Sequence, residues 1–234
     1  MVVHILKADS LAPNVAKIHG DYGELYSSGL KAAGYKGEIK VYEAVNLELP
    51  SSVDLKSDSI LISGSKFCSY DNEEWIVKLT EFVASHIDKV PVVGICFGHQ
   101  IVARALGASL GPNPNGWEVS GTVVSTTNLG QQLFPTLGAE ARFMSMHKDI
   151  VMELPKDTQL LYSTKVCEIQ GFYRKSSVLT AQFHPEFDQQ IVQAICNNRF
   201  EGDFLIDSLE RAKGANDSEP FYSTAVKFLT RSLD

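Results

Sequence analysis

Apolar positions fall into short runs separated by longer stretches of helical character, and the two alternate through the first hundred residues. Strands are predicted at 2–6, 39–42, 60–62 and 90–95. Runs such as VVHIL and VPVVGI are continuous rather than alternating, which is the pattern of a strand covered on both faces. Helices are predicted between them, at about 23–33, 72–86 and 98–106. Strand–helix–strand repetition implies a parallel sheet with right-handed crossovers.

The pattern changes after Gly107. Residues 117–126 (WEVSGTVVST), 159–163 and 166–183 predict strands joined by turns, an antiparallel extension of the sheet. Further helices are predicted at about 189–197 and 223–231. The polar, turn-rich AKGANDSEP at 212–220 is expected to be a surface loop. With no internal repeat or low-complexity block, the expectation is one α/β domain over 1–234. Its motif-bearing core spans about 58–187, and a helical segment follows from about 188.

Composition narrows the partners. Hydrophobic residues make up 44% of the 234 and charged residues 21%, ordinary for a globular chain. A formal net charge of −7 gives nucleic acid or an anionic membrane no general attraction. No apolar stretch approaches the roughly 20 residues that span a bilayer. The start, MVVHILKADS, lacks the charged and apolar regions of a secretory signal. Four widely spaced cysteines, at 68, 96, 167 and 196, with no C-x-x-C, predict reduced thiols rather than a disulfide framework or a zinc site. A cytoplasmic enzyme without metal or other cofactor fits these features.

One stretch carries candidate chemistry. In PVVGICFGHQI at 91–101, Cys96 lies between Gly94 and Gly98, directly after an apolar run. Strand, G-x-C-x-G, then helix is the pattern of a nucleophile elbow. The glycines are needed because the turn is tight and a side chain on either flank would collide with its neighbours. The turn aims the sulfur at the start of the next helix, where the dipole and free N–H groups favour an anion. The Phe97 N–H is placed to stabilise an oxyanion. Taken alone, the pattern fits a buried structural cysteine equally well.

A cysteine nucleophile needs a base, and the base an orienter. Of six histidines, His4 lies in an apolar strand, His86 near the end of a helix and His19 in a loop-like stretch. His99 follows the elbow, where its ring is expected to point away from the thiol. His147, in FMSMHKDIV, lies in a polar segment that could line a pocket. His184 ends the strand VLTAQF and is followed by Pro185 and Glu186. Active sites collect at strand C-termini in parallel α/β sheets. Pro185 fixes the turn, so the Glu186 carboxylate can come behind the imidazole. The alternative is a His-Pro turn that merely ends the strand.

GICFGHQ followed much later by QFHPEF resembles the class I, triad-type glutamine amidotransferases. The resemblance implies a flavodoxin-like three-layer sandwich with a mostly parallel central sheet. It also implies a Cys96–His184–Glu186 triad attacking a γ-glutamyl amide through a thioester. The order Cys…His…Glu separates the chain from α/β-hydrolases. ISGSKFCSYD at 62–71 resembles the family's S-G-G-P-x-S-x-Y-D loop, which implies an oxyanion hole of Phe97, Gly64 and Ser65 backbone N–H groups. Here Ser65 replaces the second glycine and Lys66 the proline; read alone, SGS is simply a turn. Gln100 matches a position that touches the bound glutamine. SMHKD at 145–149 is similar to M-S-H-x-D, which implies substrate contacts at Met146 and His147. Asp149 aligns too, with a solvated turn residue as the alternative. Met146 stands where serine is usual, so only a backbone contact would survive there.

NGWEVSG and SGSKFCSYDNEEW look like stand-alone members that act as γ-glutamyl peptidases. The end of the chain at Asp234, with no P-loop, favours a free-standing hydrolase of glutamine or γ-glutamyl peptides. An ammonia-donating subunit with a synthase partner is the nearest alternative. From other classes come a thiol sensor, which likewise sets a cysteine on an elbow, and a glutamine-binding protein without catalysis.

Overall fold

The computed structural model describes residues 1–214 and 216–233. Eleven strands and eight α-helices alternate along the described residues. The first half holds β1 (Val2–Lys7), α1 (Pro13–His19), α2 (Tyr22–Ala32), β2 (Glu38–Glu43), β3 (Ser59–Ile62), α3 (Glu74–His86), β4 (Val92–Ile95) and α4 (Phe97–Ala105). Then come β5 (Leu110–Pro112), β6 (Glu118–Thr126), α5 (Asn128–Leu133), β7 (Glu140–His147) and β8 (Asp149–Val151). The rest is β9 (Gln159–Ser163), β10 (Gly171–Arg174), β11 (Val178–Ala181), α6 (Gln189–Arg199), α7 (Gly202–Arg211) and α8 (Ser218–Leu229).

Nine strands form one sheet in the order β2-β1-β3-β4-β11-β10-β9-β6-β7, and β5 and β8 make a separate antiparallel pair. From β2 to β11 every neighbour is parallel. Beyond β11 the pairing is antiparallel, so the extension runs to four strands. The α/β class and mostly parallel sheet read from the sequence are those of the molecule.

Alternation along the central strands builds two cores. Ile5, Leu61, Val93, Ile95 and Leu179 face one side and pack with Tyr26, Leu30, Val192 and Phe228 of α2, α6 and α8. Leu6, Ile60, Ile62, Val92 and Val178 face the other, against Ile76, Leu79 and Val83 of α3 and Ile101 of α4. In α3 the buried residues Trp75, Ile76, Leu79 and Val83 recur at helical spacing, so one stripe meets the sheet. The edge strand β2, EIKVYE, keeps charged side chains outward, which discourages pairing with a second chain. Among the described residues no helix is long and apolar enough to cross a membrane.

Several elements differ from the sequence reading. The C-terminal segment holds three helices rather than two; the additional one, α7, buries only one of its residues. The predicted loop at 212–220 is shorter than expected, since α8 already begins at Ser218. His19 ends the helix α1 instead of lying in a loop. The strand β7 was missed, although it pairs with β6 over eight residues.

The antiparallel half has its own aromatic core. Phe143 of β7 and Phe183 stack at 3.8 Å between centroids, both fully buried. Phe183 immediately precedes His184, so this packing also fixes where the chain leaves β11. Phe183→Ala should cost about 3–5 kcal/mol, read as a lower denaturation midpoint with an unchanged m-value.

Candidate active site

The elbow forms where β4 meets α4. Cys96 adopts φ 51° and ψ −105°, a positive φ that a non-glycine residue takes only when its surroundings impose it. Its N–H donates to the Ala181 carbonyl of β11 (2.7 Å), and the Gly98 N–H to the Ser63 carbonyl after β3 (3.1 Å). The flanking glycines are steric necessities. A Cβ at Gly94 would come 2.5 Å from the Gly98 carbonyl oxygen, and one at Gly98 would overlap the Ile62 carbonyl.

The strand order places β4 between β3 and β11. The chain leaving β3 carries Gly64, and the chain leaving β11 carries His184, so both flank Cys96. A Cβ at Gly64 would fall 2.7 Å from His184 Cε1 and 3.6 Å from Cys96 Cβ. The His184 N–H donates to the Met144 carbonyl (2.7 Å), which ties the histidine to β7.

Behind the imidazole stands Glu186. The His184 Nδ1–H donates to Glu186 Oε1 at 2.6 Å, and Tyr26 of α2 donates its hydroxyl to the same oxygen at 2.7 Å. The Phe187 ring stacks on the imidazole at 4.3 Å. His184 Nε2 is buried and has no hydrogen-bond partner among the described residues. Among the described residues the one hydrogen-bond contact of the Cys96 thiol is long, 4.0 Å to the Met146 carbonyl. Burial disfavours the imidazolium, yet the Glu186 carboxylate and the Cys96 sulfur outweigh it and raise the His184 pKa above its usual value.

Other predicted residues gather on the same side. Among the described residues the N–H groups of Phe97, Gly64 and Ser65 donate to no protein acceptor. Met146, His147 and Asp149 line a narrow polar recess with Cys96 and Gln100. Gln100 spends both amide hydrogens inside the protein, on the Asp149 carbonyl (2.8 Å) and on Gln182 (3.1 Å), which leaves only its oxygen for a ligand. His147 Nε2–H donates to Glu118 (2.9 Å). His99 lies on the opposite face, bonded to Thr180 Oγ1 and packed at a tilt against Phe172. Burial pushes its pKa down to about 3, so it stays neutral. His4 bonds Tyr42 and Asp58 in a structural pair.

Three residues escaped the sequence reading. Tyr26 carries no motif and lies 160 positions from the carboxylate it binds. Asp9, just past β1, accepts both the Lys66 N–H (2.9 Å) and the Lys66 ammonium (3.0 Å). Glu118 stands with His147 and Cys167 so that one potential metal-ligating atom from each lies within 4.8 Å of the others. The Glu118 oxygens already accept from Thr164, Gln170 and His147, so the trio is part of a hydrogen-bond network.

Two measurements probe the buried carboxylate. Tyr26→Phe removes a hydrogen bond to a charged group and should cost about 1.5–3 kcal/mol of unfolding free energy. A raised His184 pKa contributes stability fully present below the ordinary value near 6.5 and lost as pH rises through the folded value. Glu186→Gln should lower the His184 titration midpoint seen by NMR and diminish that alkaline loss of stability.

Known proteins resemble this chain in sequence and fold. The family model described as "Glutamine amidotransferase class-I" matches residues 19–201. A glutamine amidotransferase-like protein of Schizosaccharomyces pombe is 34% identical, over 97% of this chain and 98% of its own. Gamma-glutamyl peptidase 3 of Arabidopsis thaliana is 31% identical, over 76% of this chain and 74% of its own. The crystal structure of a glutamine amidotransferase from Thermotoga maritima superposes with a TM-score of 0.72 at 18% identity, covering 99% of this chain and 98% of that one. The chain belongs to the class I glutamine amidotransferase family.

Proposed function

We propose that the chain is a cysteine-nucleophile hydrolase of γ-glutamyl amide bonds, in glutamine or γ-glutamyl peptides, and that residues 1–234 act as one domain. The observation that carries this reading is the elbow itself. Cys96 is held at positive φ beside a histidine whose Nδ1 is fixed by a carboxylate and whose Nε2 is free. The similarity to a gamma-glutamyl peptidase favours an amide larger than glutamine among the possible substrates.

The chemistry follows from the atoms. Cys96 Sγ, its proton held by His184 Nε2, attacks the γ-carbonyl carbon. The N–H groups of Phe97 and of Gly64 or Ser65 receive the developing oxyanion, which is worth most in a site shielded from water. His184 passes its proton to the departing amine nitrogen as the C–N bond breaks. A γ-glutamyl thioester remains; His184 then takes a proton from water, the hydroxide oxygen attacks, and glutamate leaves as the thiol is restored. Glu186, aligned by Tyr26, holds the productive tautomer and offsets the imidazolium charge. Gln100, Met146 and His147 border the recess that takes the glutamyl end. No step calls on a metal.

The test is glutamate release from glutamine, glutathione and γ-glutamyl dipeptides by purified protein, beside Cys96→Ala. Release should fall by at least roughly a thousandfold in the variant, with its circular dichroism and thermal midpoint retained. Release that survives Cys96→Ala, or none from any substrate, overturns the proposal.

A further inference from the structure

Cys96 and His184 line adjoining spaces that share Ser65, Phe67 and other border residues. Cys96 lines the narrow recess that also holds Gln100, His147 and Asp149. His184 lines a cavity of about 600 Å³ whose walls include Leu11, Val15, Tyr22, Phe187 and Ile195. Lys66, Met146 and Arg199 border both. On the hydrolase reading, on which this inference rests, the group that accepts the His184 proton is the departing amine. That amine therefore lies on the His184 side, in the cavity, while the glutamyl half stays over Cys96.

The cavity is far larger than ammonia needs, and most of its surface is apolar. A small molecule such as water takes up about 30 Å³ in the liquid, some twentyfold less than this space. Its walls are mostly apolar, with Asp9, Ser10 and Asn198 among the polar exceptions, and they reward hydrocarbon removed from water, which ammonia lacks. The charges at the mouth add a second requirement. Lys66 is paired with Asp9 at 3.0 Å. Arg199 forms no ion pair among the described residues, and its guanidinium lies 4.8 Å from the Trp117 ring centroid. The border shared by the two spaces thus carries surplus positive charge, suited to a carboxylate.

We infer that this cavity is the leaving-group site and that it selects γ-glutamyl peptides whose second residue is a large apolar amino acid, with that residue's carboxylate at Arg199. As the Cys96 Sγ–carbon bond forms, the peptide C–N bond breaks, and the nitrogen takes the His184 proton. The apolar amino acid departs with a free amine, and water later releases glutamate.

The experiment compares kcat/KM for γ-Glu-Phe, γ-Glu-Gly, glutamine and the C-terminal amide of γ-Glu-Phe. A buried benzyl group should favour γ-Glu-Phe over γ-Glu-Gly by on the order of a hundredfold. Loss of the carboxylate should cost roughly tenfold. Ile195→Trp, which narrows the cavity from a half-buried position, should lower the γ-Glu-Phe to glutamine ratio by about tenfold. Equal rates for all four substrates in the unaltered protein would overturn this inference and leave the hydrolase reading intact. Cys96-dependent release from none of them would overturn both. A preference for γ-Glu-Phe that a folded Ile195→Trp leaves untouched would place selectivity outside this cavity and overturn the assignment. An amide cleaved as fast as the acid would overturn the role given to Arg199.

Discussion

Everything at this site depends on one backbone constraint, the strained turn that holds Cys96 at positive φ. A non-glycine residue there stores roughly 1–3 kcal/mol of strain, which only neighbouring structure can offset. The Ala181 carbonyl of β11 takes the Cys96 N–H, and the Ser63 carbonyl after β3 takes the Gly98 N–H. The turn is therefore clamped from both adjacent strands, and the carbonyl of Ile62 leaves room for nothing larger than glycine at 98. Parallel order in this half of the sheet brings all three strand ends to the same edge. The same clamps that impose the strain also deliver Gly64 and His184 to the sulfur.

A second constraint is electrostatic. His184 and Glu186 are almost wholly removed from water, where a lone charge would be expensive. Their mutual bond answers that cost only while the carboxylate stays ionised, and Tyr26 supplies the extra donor from α2. The hydroxyl is buried, and its pKa is driven well above the usual value by burial and by Glu186 itself, so it remains a donor at every physiological pH. Helix α2, far from either motif in sequence, is thereby part of the site's electrostatics.

How far the sequence reveals this depends on where each instruction is written. The parallel strands β1, β3 and β4 were legible because burial on both faces demands continuous apolar runs, whereas β11, expected within the antiparallel extension, pairs parallel with β4. Cys96, His184 and Glu186 were legible because their neighbours are dictated locally, by glycine sterics on one side and a proline turn on the other. The strand β7 was not: EARFMSMH mixes a solvated start with a buried end, so neither period dominates. Helix α7 turns Leu205 and Leu209 onto the core while Phe204 and Ile206 stay exposed, so its apolar residues do not share one face. Tyr26 was illegible for a different reason. Its partner is chosen by tertiary packing alone, and no local rule marks a core tyrosine that also bonds a carboxylate.

Lys66 shows how a departure from the family pattern can be made good by contacts elsewhere. A proline at this position would fix φ and stiffen the loop, but it would carry no N–H. In this chain the Lys66 N–H and ammonium are both bound by Asp9, which also accepts from the Ser10 N–H (2.8 Å). The loop is thus pinned by a buried carboxylate from the end of β1 rather than by ring geometry. Asp9 is nearly enclosed while the lysine side chain is largely exposed, so the backbone bond is the better shielded half of the clamp and the ammonium bond the more exposed to salt. Lys66 and Asp9 both border the large cavity. The ion pair that pins the loop therefore also stands on the border of that cavity, so loop and cavity wall are held by the same contact.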